Sequence, residues 1–401
     1  MPGSLVLMGS GETSPTMVEV HRAVARGLRT GARAVLLDTP YAFQENAADI
    51  SARARRYFAR SVGLEVEVAA GVTGADWVFS GPGSPTYALD RWAASGVAGD
   101  LRARVRSRQG VTVLASAAAC TAGLATVPVY EIYKVGAEPH WREGVDLLKT
   151  LGLRAVLIPH FDNAEGGTHD TRYCYLGERR LSRMERELPP QTAVLGLDEH
   201  TALIIDLESE AVEVAGRGGL TVRRPGAVTV LPAGTRTSLA VVRGLAEGAT
   251  PGTVAPPQPA VVEPAVTLEE TIRSCEELFK DAVGEPDMVA AAQLVLYLEA
   301  EIVKWAADTE EDSGGVDQAR ELLRLLIARL GAAAATANLR TLAEPLLDLR
   351  ADLRRAGRYE VADALREAMA RGGVLVEDTP TGSRWSPGPP SGPPGGRAPE
   401  A

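Results

Sequence analysis

The sequence predicts a three-layer, doubly wound α/β domain with a mostly parallel sheet, followed by a smaller all-α domain that ends in a short β-hairpin. Three observations carry that prediction. Short apolar runs rich in Val, Leu and Ile alternate with amphipathic stretches through the first part of the chain, the pattern of a parallel sheet covered by helices on both faces. A segment from Gly248 to Thr267 then holds five prolines and neither helical nor strand periodicity. Beyond it, Leu, Ala, Glu and Arg recur at helical spacing as far as Arg371.

In chain order, the expected strands are Leu5–Met8, Ala34–Asp38, Leu64–Ala69, Trp77–Gly81, Val111–Ser116 and Val156–His160. Stretches such as "NAADISARARRYFARSVG" and "SPTYALDRWAASG" supply the helices between them. From Thr192 the pattern becomes strand and turn, in "TAVLGLDEHTALIID" and the residues after it, and reads as hairpins completing the edge of the sheet. The domains are therefore expected at 1–247 and 268–386, joined by a stiff proline-rich linker at 248–267 and followed by a disordered Pro/Gly tail at 387–401.

Composition narrows the function. A chain of 401 residues suits two domains, and 45% apolar residues are enough for two cores. A net charge of −10 argues against a broad nucleic-acid face or an anionic membrane partner. Between Ala265 and Ser386 stand 23 Asp and Glu against 14 Lys and Arg, so the second domain carries nearly all of that charge. Cys120, Cys174 and Cys275 are odd in number and widely spaced, which points to reduced thiols in a cytoplasm. The start of the chain, "MPGSLVLMGSGE", reads as a first strand and not a leader. Gly110 to Tyr130 carries no charge, but its apolar content is mostly Ala, so it is expected as a buried strand and helix and not a membrane span.

That uncharged stretch, "GVTVLASAAACTAGL", sets Ser116 where a strand turns into a helix. Ser116 is either a small residue packed where bulk will not fit or a nucleophile elbow. An elbow needs a base, an orienting acid and N–H donors, all at the carboxyl ends of the strands. There the sequence offers "GSGET", "SGPGSPTY" and "PHFDN". Gly81, Gly83 and Ser84 form a loop whose N–H groups can face a negative oxygen, and His160 stands where a base would be needed. The alternative for His160 is a hydrogen-bonded structural histidine.

The succession "LVLMGSGE", "VFSGPGSPTYAL", "LASAAAC", "IPHFDN", "RYCYLGERRL" and "GLDEHTAL", over roughly Leu5 to Val242, resembles the dipeptidase E and cyanophycinase family of serine peptidases. The resemblance implies a class I glutamine-amidotransferase-like fold and hydrolysis of a small peptide or amide bond without a cofactor. It implies Ser116 as nucleophile, His160 as base and Glu131, fifteen residues after the serine, as the acid. The N–H groups of Gly83 and Ala117 would then form the oxyanion hole, with Ser84, Glu199 and His200 near the substrate. Arg172, Arg179 and Arg180 would bind a substrate carboxylate, as suits a family that cleaves next to Asp. Leu114 and Ala118 stand where the family has the two glycines that flank its serine. Glu131 reads alternatively as a residue on a solvated strand edge, His200 as a strand residue, and the three arginines as an exposed helix face. No metal site is expected, because "THDTRYC" has too few ligands at poor spacing.

Near the end, "DLRADLRRAGRYEVADALREAMARGGVLVEDTPTGSRW" resembles the extreme C-terminus of cysteinyl-tRNA synthetases. Leu349, Leu353, Val361, Leu365 and Met369 form its apolar stripe, Gly372 and Gly373 end its helix, and Val374–Val376 is expected to pair with Ser383–Trp385. The synthetase's ATP-binding motifs and zinc cysteines are absent from this chain. The module reads first as a packing and interaction unit. A tRNA-binding role is the lesser reading, since the domain is acidic apart from the cluster Arg354, Arg355 and Arg358.

Three functions follow: a serine hydrolase; a binding protein that keeps the pocket without catalysis; and a tRNA- or translation-linked adaptor. The expected partner is a small peptide or amino-acid-derived substrate, and a homodimer is left open. If the boundary is right, limited proteolysis cuts first between Gly248 and Thr267, and the pieces 1–247 and 265–386 each unfold cooperatively. Preferential cutting within Leu268–Leu330 would refute it.

Overall fold

Strand β1 (Ser4–Met8) occupies the middle of an eight-stranded sheet. In chain order there follow α1 (Val18–Ala25), β2 (Ala34–Leu36), α2 (Ala47–Tyr57), β3 (Val66–Val68), β4 (Trp77–Ser80), α3 (Pro85–Ser95), α4 (Val97–Arg106), β5 (Val111–Ala115) and α5 (Ser116–Cys120). The short β6 (Ala125–Thr126), α6 (Val129–Tyr133) and β7 (Arg142–Glu143) precede β8 (Ala155–Ile158), α7 (Gly177–Glu185) and β9 (Ala193–Leu197). The strands β10 (Thr201–Asp206), β11 (Ala211–Gly216), β12 (Gly219–Arg224), β13 (Ala227–Pro232) and β14 (Arg236–Ser238) lead to α8 (Leu239–Glu247). This computed structural model describes residues 3–165, 169–249, 267–306, 315–379 and 382–388. Most of the expected linker and tail lies outside them. The chain divides into two units, one running to Thr267 and taking in the stretch from Val303, the other beginning at Leu268.

The main sheet has the order β14-β11-β10-β1-β5-β4-β2-β3. β1, β5, β4, β2 and β3 run parallel, while β10 joins β1 antiparallel and β11 and β14 continue in that sense. Alternation along the strands builds two cores, one on each face. Leu5, Leu7, Val35, Val78 and Leu114 meet Trp92, Leu101 and Val105 on one side. Val6, Met8, Leu36, Trp77, Phe79 and Val113 meet Val20, Ala54 and Tyr57 on the other. Burial on both faces is why these strands read as unbroken apolar runs. The expected α/β class, with its mostly parallel sheet, trailing helices and terminal hairpin, is the one observed.

Two details differ from the sequence reading. β8 and β9 do not join the main sheet; with β12 and β13 they form a second sheet of four strands, β13-β12-β9-β8. The division falls at Asp198–His200, where the chain leaves β9 and enters β10. His200 has a left-handed φ of 50° there, and Asp198 N–H bonds to Gly219 O while Gly9 N–H bonds to Thr201 O. "VYEIY" is also a short helix, α6, and not a strand edge, beginning directly after Pro128.

In the second unit, α9 (Leu268–Gly284) and α10 (Met288–Trp305) precede α11 (Gly315–Arg355), α12 (Tyr359–Arg371) and the hairpin β15–β16 (Val374–Thr379 and Gly382–Pro387). α11 packs against α9, α12 and β16. It is the one described helix long and apolar enough to cross a membrane by length and composition. Val376 faces Trp385 across the hairpin, and Gly372 caps α12, as expected. The apolar stripe is corrected in part. Met369 and Leu365 pack with Ala343 and Val374, but Leu349 and Val361 are exposed, and Leu339, Leu346 and Leu347 take the inner positions.

The hairpin is fastened to α11 by Arg350, whose side chain is wholly buried. Its guanidinium donates to both Asp378 oxygens, at 2.7 and 2.9 Å, and to Ser383 Oγ at 2.9 Å. These bonds from Arg350, together with that from Ser383, hold the Asp378 carboxyl well below the usual carboxylate range. A depressed carboxyl stabilises the fold above its unfolded pKa and loses that contribution as pH falls towards its folded one. Hydrogen exchange is therefore expected to show hairpin protection declining below about pH 4, and Asp378→Asn should lower protection at pH 7 by roughly tenfold, as for one lost charge-assisted bond pair. Unchanged protection in the variant would show that the pair does not hold the hairpin.

Candidate functional site

β5 ends at the carboxyl edge of the sheet, and the next residue, Ser116, adopts φ 46° as the first residue of α5. A non-glycine residue held there costs on the order of 1–3 kcal/mol and persists only where its surroundings impose it. Ala117 to Ala119 are small enough for close packing at the turn, and Ala118 N–H bonds to Gly81 O, tying the turn to the loop after β4.

Ser116 Oγ lies 2.9 Å from His160 Nε2, and His160 Nδ1 lies 2.9 Å from Glu199 Oε1. Glu199 can only accept, so Nδ1 carries the proton and Nε2 is the lone pair that receives the serine hydroxyl. Burial pushes the Glu199 carboxyl up, but the hydrogen bond and charge of His160, with the bond from Asn163, outweigh it and keep the group below its ordinary value. Asn163 Nδ2 donates to the same Oε1 at 3.1 Å, and Asp162 Oδ1 accepts the Glu199 N–H at 2.7 Å. Burial, with repulsion from Asp162 and Glu199, pushes Asp198 up to about 6.

The acid at the imidazole is thus Glu199, and the assignment of that role to Glu131 is corrected. Glu131 lies on α6, with one carboxylate oxygen buried and without a hydrogen-bond partner. The topology explains the exchange. β8 and β9 are parallel neighbours, so the residues just past their ends, His160 and Glu199, emerge side by side. Asp162 and Asn163, which no sequence argument singled out, stand two and three residues after His160 in "PHFDN".

The remaining expected residues divide. Gly83 has φ 127°, and a Cβ there would come within 2.2 Å of Pro40 O, so the loop tolerates only glycine. Ala117 follows the serine at the start of α5. Ser84 caps α3, its oxygen accepting from Tyr87 N–H at 3.1 Å, which gives its hydroxyl a structural task. Arg172 is not an open carboxylate receptor, because Asp170 engages its Nε and a terminal nitrogen at 2.9 Å each. His200 is half-buried beside Glu199; its Nδ1 is 2.8 Å from Thr16 Oγ1, and burial lowers its pKa. Among the described residues, no cluster of His, Cys, Asp and Glu could hold a metal ion.

No family model matches the chain. One curated protein, the cysteine–tRNA ligase of Leifsonia xyli subsp. xyli (strain CTCB07), is 43% identical over 56 residues, a match spanning 14% of this chain and 12% of the ligase. Among solved structures, a peptidase from an acI-B1 Actinobacterium aligns with TM-score 0.44 and 19% identity, covering 59% of this chain and 97% of that one. A putative peptidase E protein from Listeria monocytogenes EGD-e aligns with TM-score 0.36 and 11% identity, covering 58% and 99%.

Leu114 does not crowd the serine. It is fully buried in the core with Leu5, Leu7 and Ala118, and the Ser116–His160 distance is short with leucine in place. Leu114→Gly is expected to cost roughly 4 kcal/mol in chemical denaturation of the full chain, as for a large core truncation, without faster reaction at Ser116. A faster reaction would mean that leucine strains the turn.

Proposed function

We propose that the first unit is a serine hydrolase of the dipeptidase E and cyanophycinase type that cleaves a small peptide or amide bond. The observation that carries this reading is the unbroken chain of 2.9 Å contacts from Ser116 through His160 to Glu199. In the mechanism, His160 Nε2 takes the hydroxyl proton as Ser116 Oγ attacks the carbonyl carbon, and Glu199 stabilises the imidazolium that forms. The Gly83 and Ala117 N–H groups would hold the tetrahedral oxyanion. His160 then returns the proton to the leaving amine, and water releases the acyl group by the same steps. Three free, buried cysteines suit a reducing compartment, and we read the protein as cytoplasmic.

The C-terminal module fits a packing and interaction role. Two arginines of its basic cluster already face carboxylates, Arg354 that of Asp378 and Arg355 that of Asp352, which leaves little for a phosphate backbone.

An active-site fluorophosphonate is expected to label Ser116 in the full chain, and Ser116→Ala to abolish labelling. Glu199→Gln should slow it by about a thousandfold or more, as when a triad acid is neutralised, while Glu131→Gln stays within about threefold. Labelling that persists in Ser116→Ala would overturn the hydrolase reading, and no labelling of the unaltered chain would favour a binding protein.

A further inference from the structure

One carboxylate oxygen, Glu199 Oε1, accepts two hydrogen bonds, from His160 Nδ1 and from Asn163 Nδ2. Asn163 is completely buried and is itself fixed from several sides. Its Oδ1 accepts Glu165 N–H at 3.3 Å, its own N–H donates to His160 O at 3.3 Å, and its carbonyl accepts from Thr171 Oγ1 at 3.4 Å. The backbone donor at Glu165 determines which way the amide faces, so nitrogen is turned to Glu199. Next to it, Asp162 holds the Glu199 N–H. The turn from His160 to Asn163 therefore supplies the base and also grips the acid by its side chain and its backbone.

We propose that Asn163 is a positioning residue for this triad: its amide locks the Glu199 carboxylate against His160 and sets how strongly that carboxylate supports the protonated imidazole. The inference rests on the hydrolase reading above. A neutral amide suits the task. A cation would pair with Glu199 and cancel the charge that His160 needs, and a second carboxylate would compete for the same proton. Carboxyls already press on Glu199, from Asp162 on the same turn and from Asp198 before it, while the Cys174 thiol and the His200 ring stand close and Arg217 lies near His200. A donor without charge holds the side chain while leaving that balance intact.

The test follows fluorophosphonate labelling of the full chain from about pH 5 to 9, the range over which a histidine base titrates. In Asn163→Asp a carboxylate faces Glu199 Oε1, and the midpoint of the acid limb should rise by about one unit. In Asn163→Ala the maximal labelling rate should fall by about tenfold to a hundredfold, with the half-saturating probe concentration unchanged, as for a misaligned base. A merely structural asparagine would alter thermal unfolding and leave the midpoint and the balance between rate and saturation where they were, which would overturn the proposal. If Asn163→Asp does not fold, Asn163→Ala decides on rate and saturation. Persistent labelling of Ser116→Ala would instead refute the hydrolase reading on which the inference stands.

Discussion

Between Leu197 and Thr201 the chain crosses from one sheet to the other, and the arrangement of the site depends on how that crossing is made. Asp198 spends its N–H on Gly219, Glu199 spends its own on Asp162, and His200 turns left-handed before Thr201 begins the main sheet. Space is scarce on both sides. A Cβ on Gly9 would lie 2.0 Å from Asp198 O, and one on Gly196 would fall 2.3 Å from the Phe161 ring. Glycine at these positions lets β1 and the turn after β8 approach the crossing closely. The acid is thereby delivered by backbone packing as much as by its own hydrogen bonds.

Positive φ at Ser116, His160 and His200 shows how the site is held. Each lies just beyond a strand or just before one, where the ladder's hydrogen bonds stop and loop contacts take over. Strain of this kind survives because many weak contacts fix the same geometry. The turn at Ser116 is tied to Gly81, His160 to the turn that follows it, and Glu199 to the sheet crossing.

Much of the fold could be read from sequence because its determinants are local. Valine- and leucine-rich runs such as Val111–Ala115 admit few structures other than buried strands. Ser116 and His160 were legible for the same reason, since each follows a strand whose end marks the site. Glu131 was misjudged because spacing from the serine along the chain says nothing of which strand lies beside β8. The neighbour is β9, and the pairing is set by non-local contacts that no local pattern encodes. Asn163 escaped notice because an amide does no chemistry of its own, and its value appears only when its partner is known. Leu114, which stands where the family has a glycine, faces the core with Leu5 and Leu7 and leaves the Ser116–His160 contact intact.

The pairing of β1 with β10 has a consequence for how the protein is made. Leu5 sits against Ile205, so the central strand lacks one neighbour until some two hundred residues later in the chain have been added. The acid arrives on that same late segment, directly before β10. Chains emerge from the ribosome N-terminus first and domains fold as units, so Ser116 is synthesised roughly eighty residues before Glu199. A truncated product that stops short of β9 would hold Ser116 and His160 without Glu199. The order in which these side chains come together is thus written into the topology of the sheet.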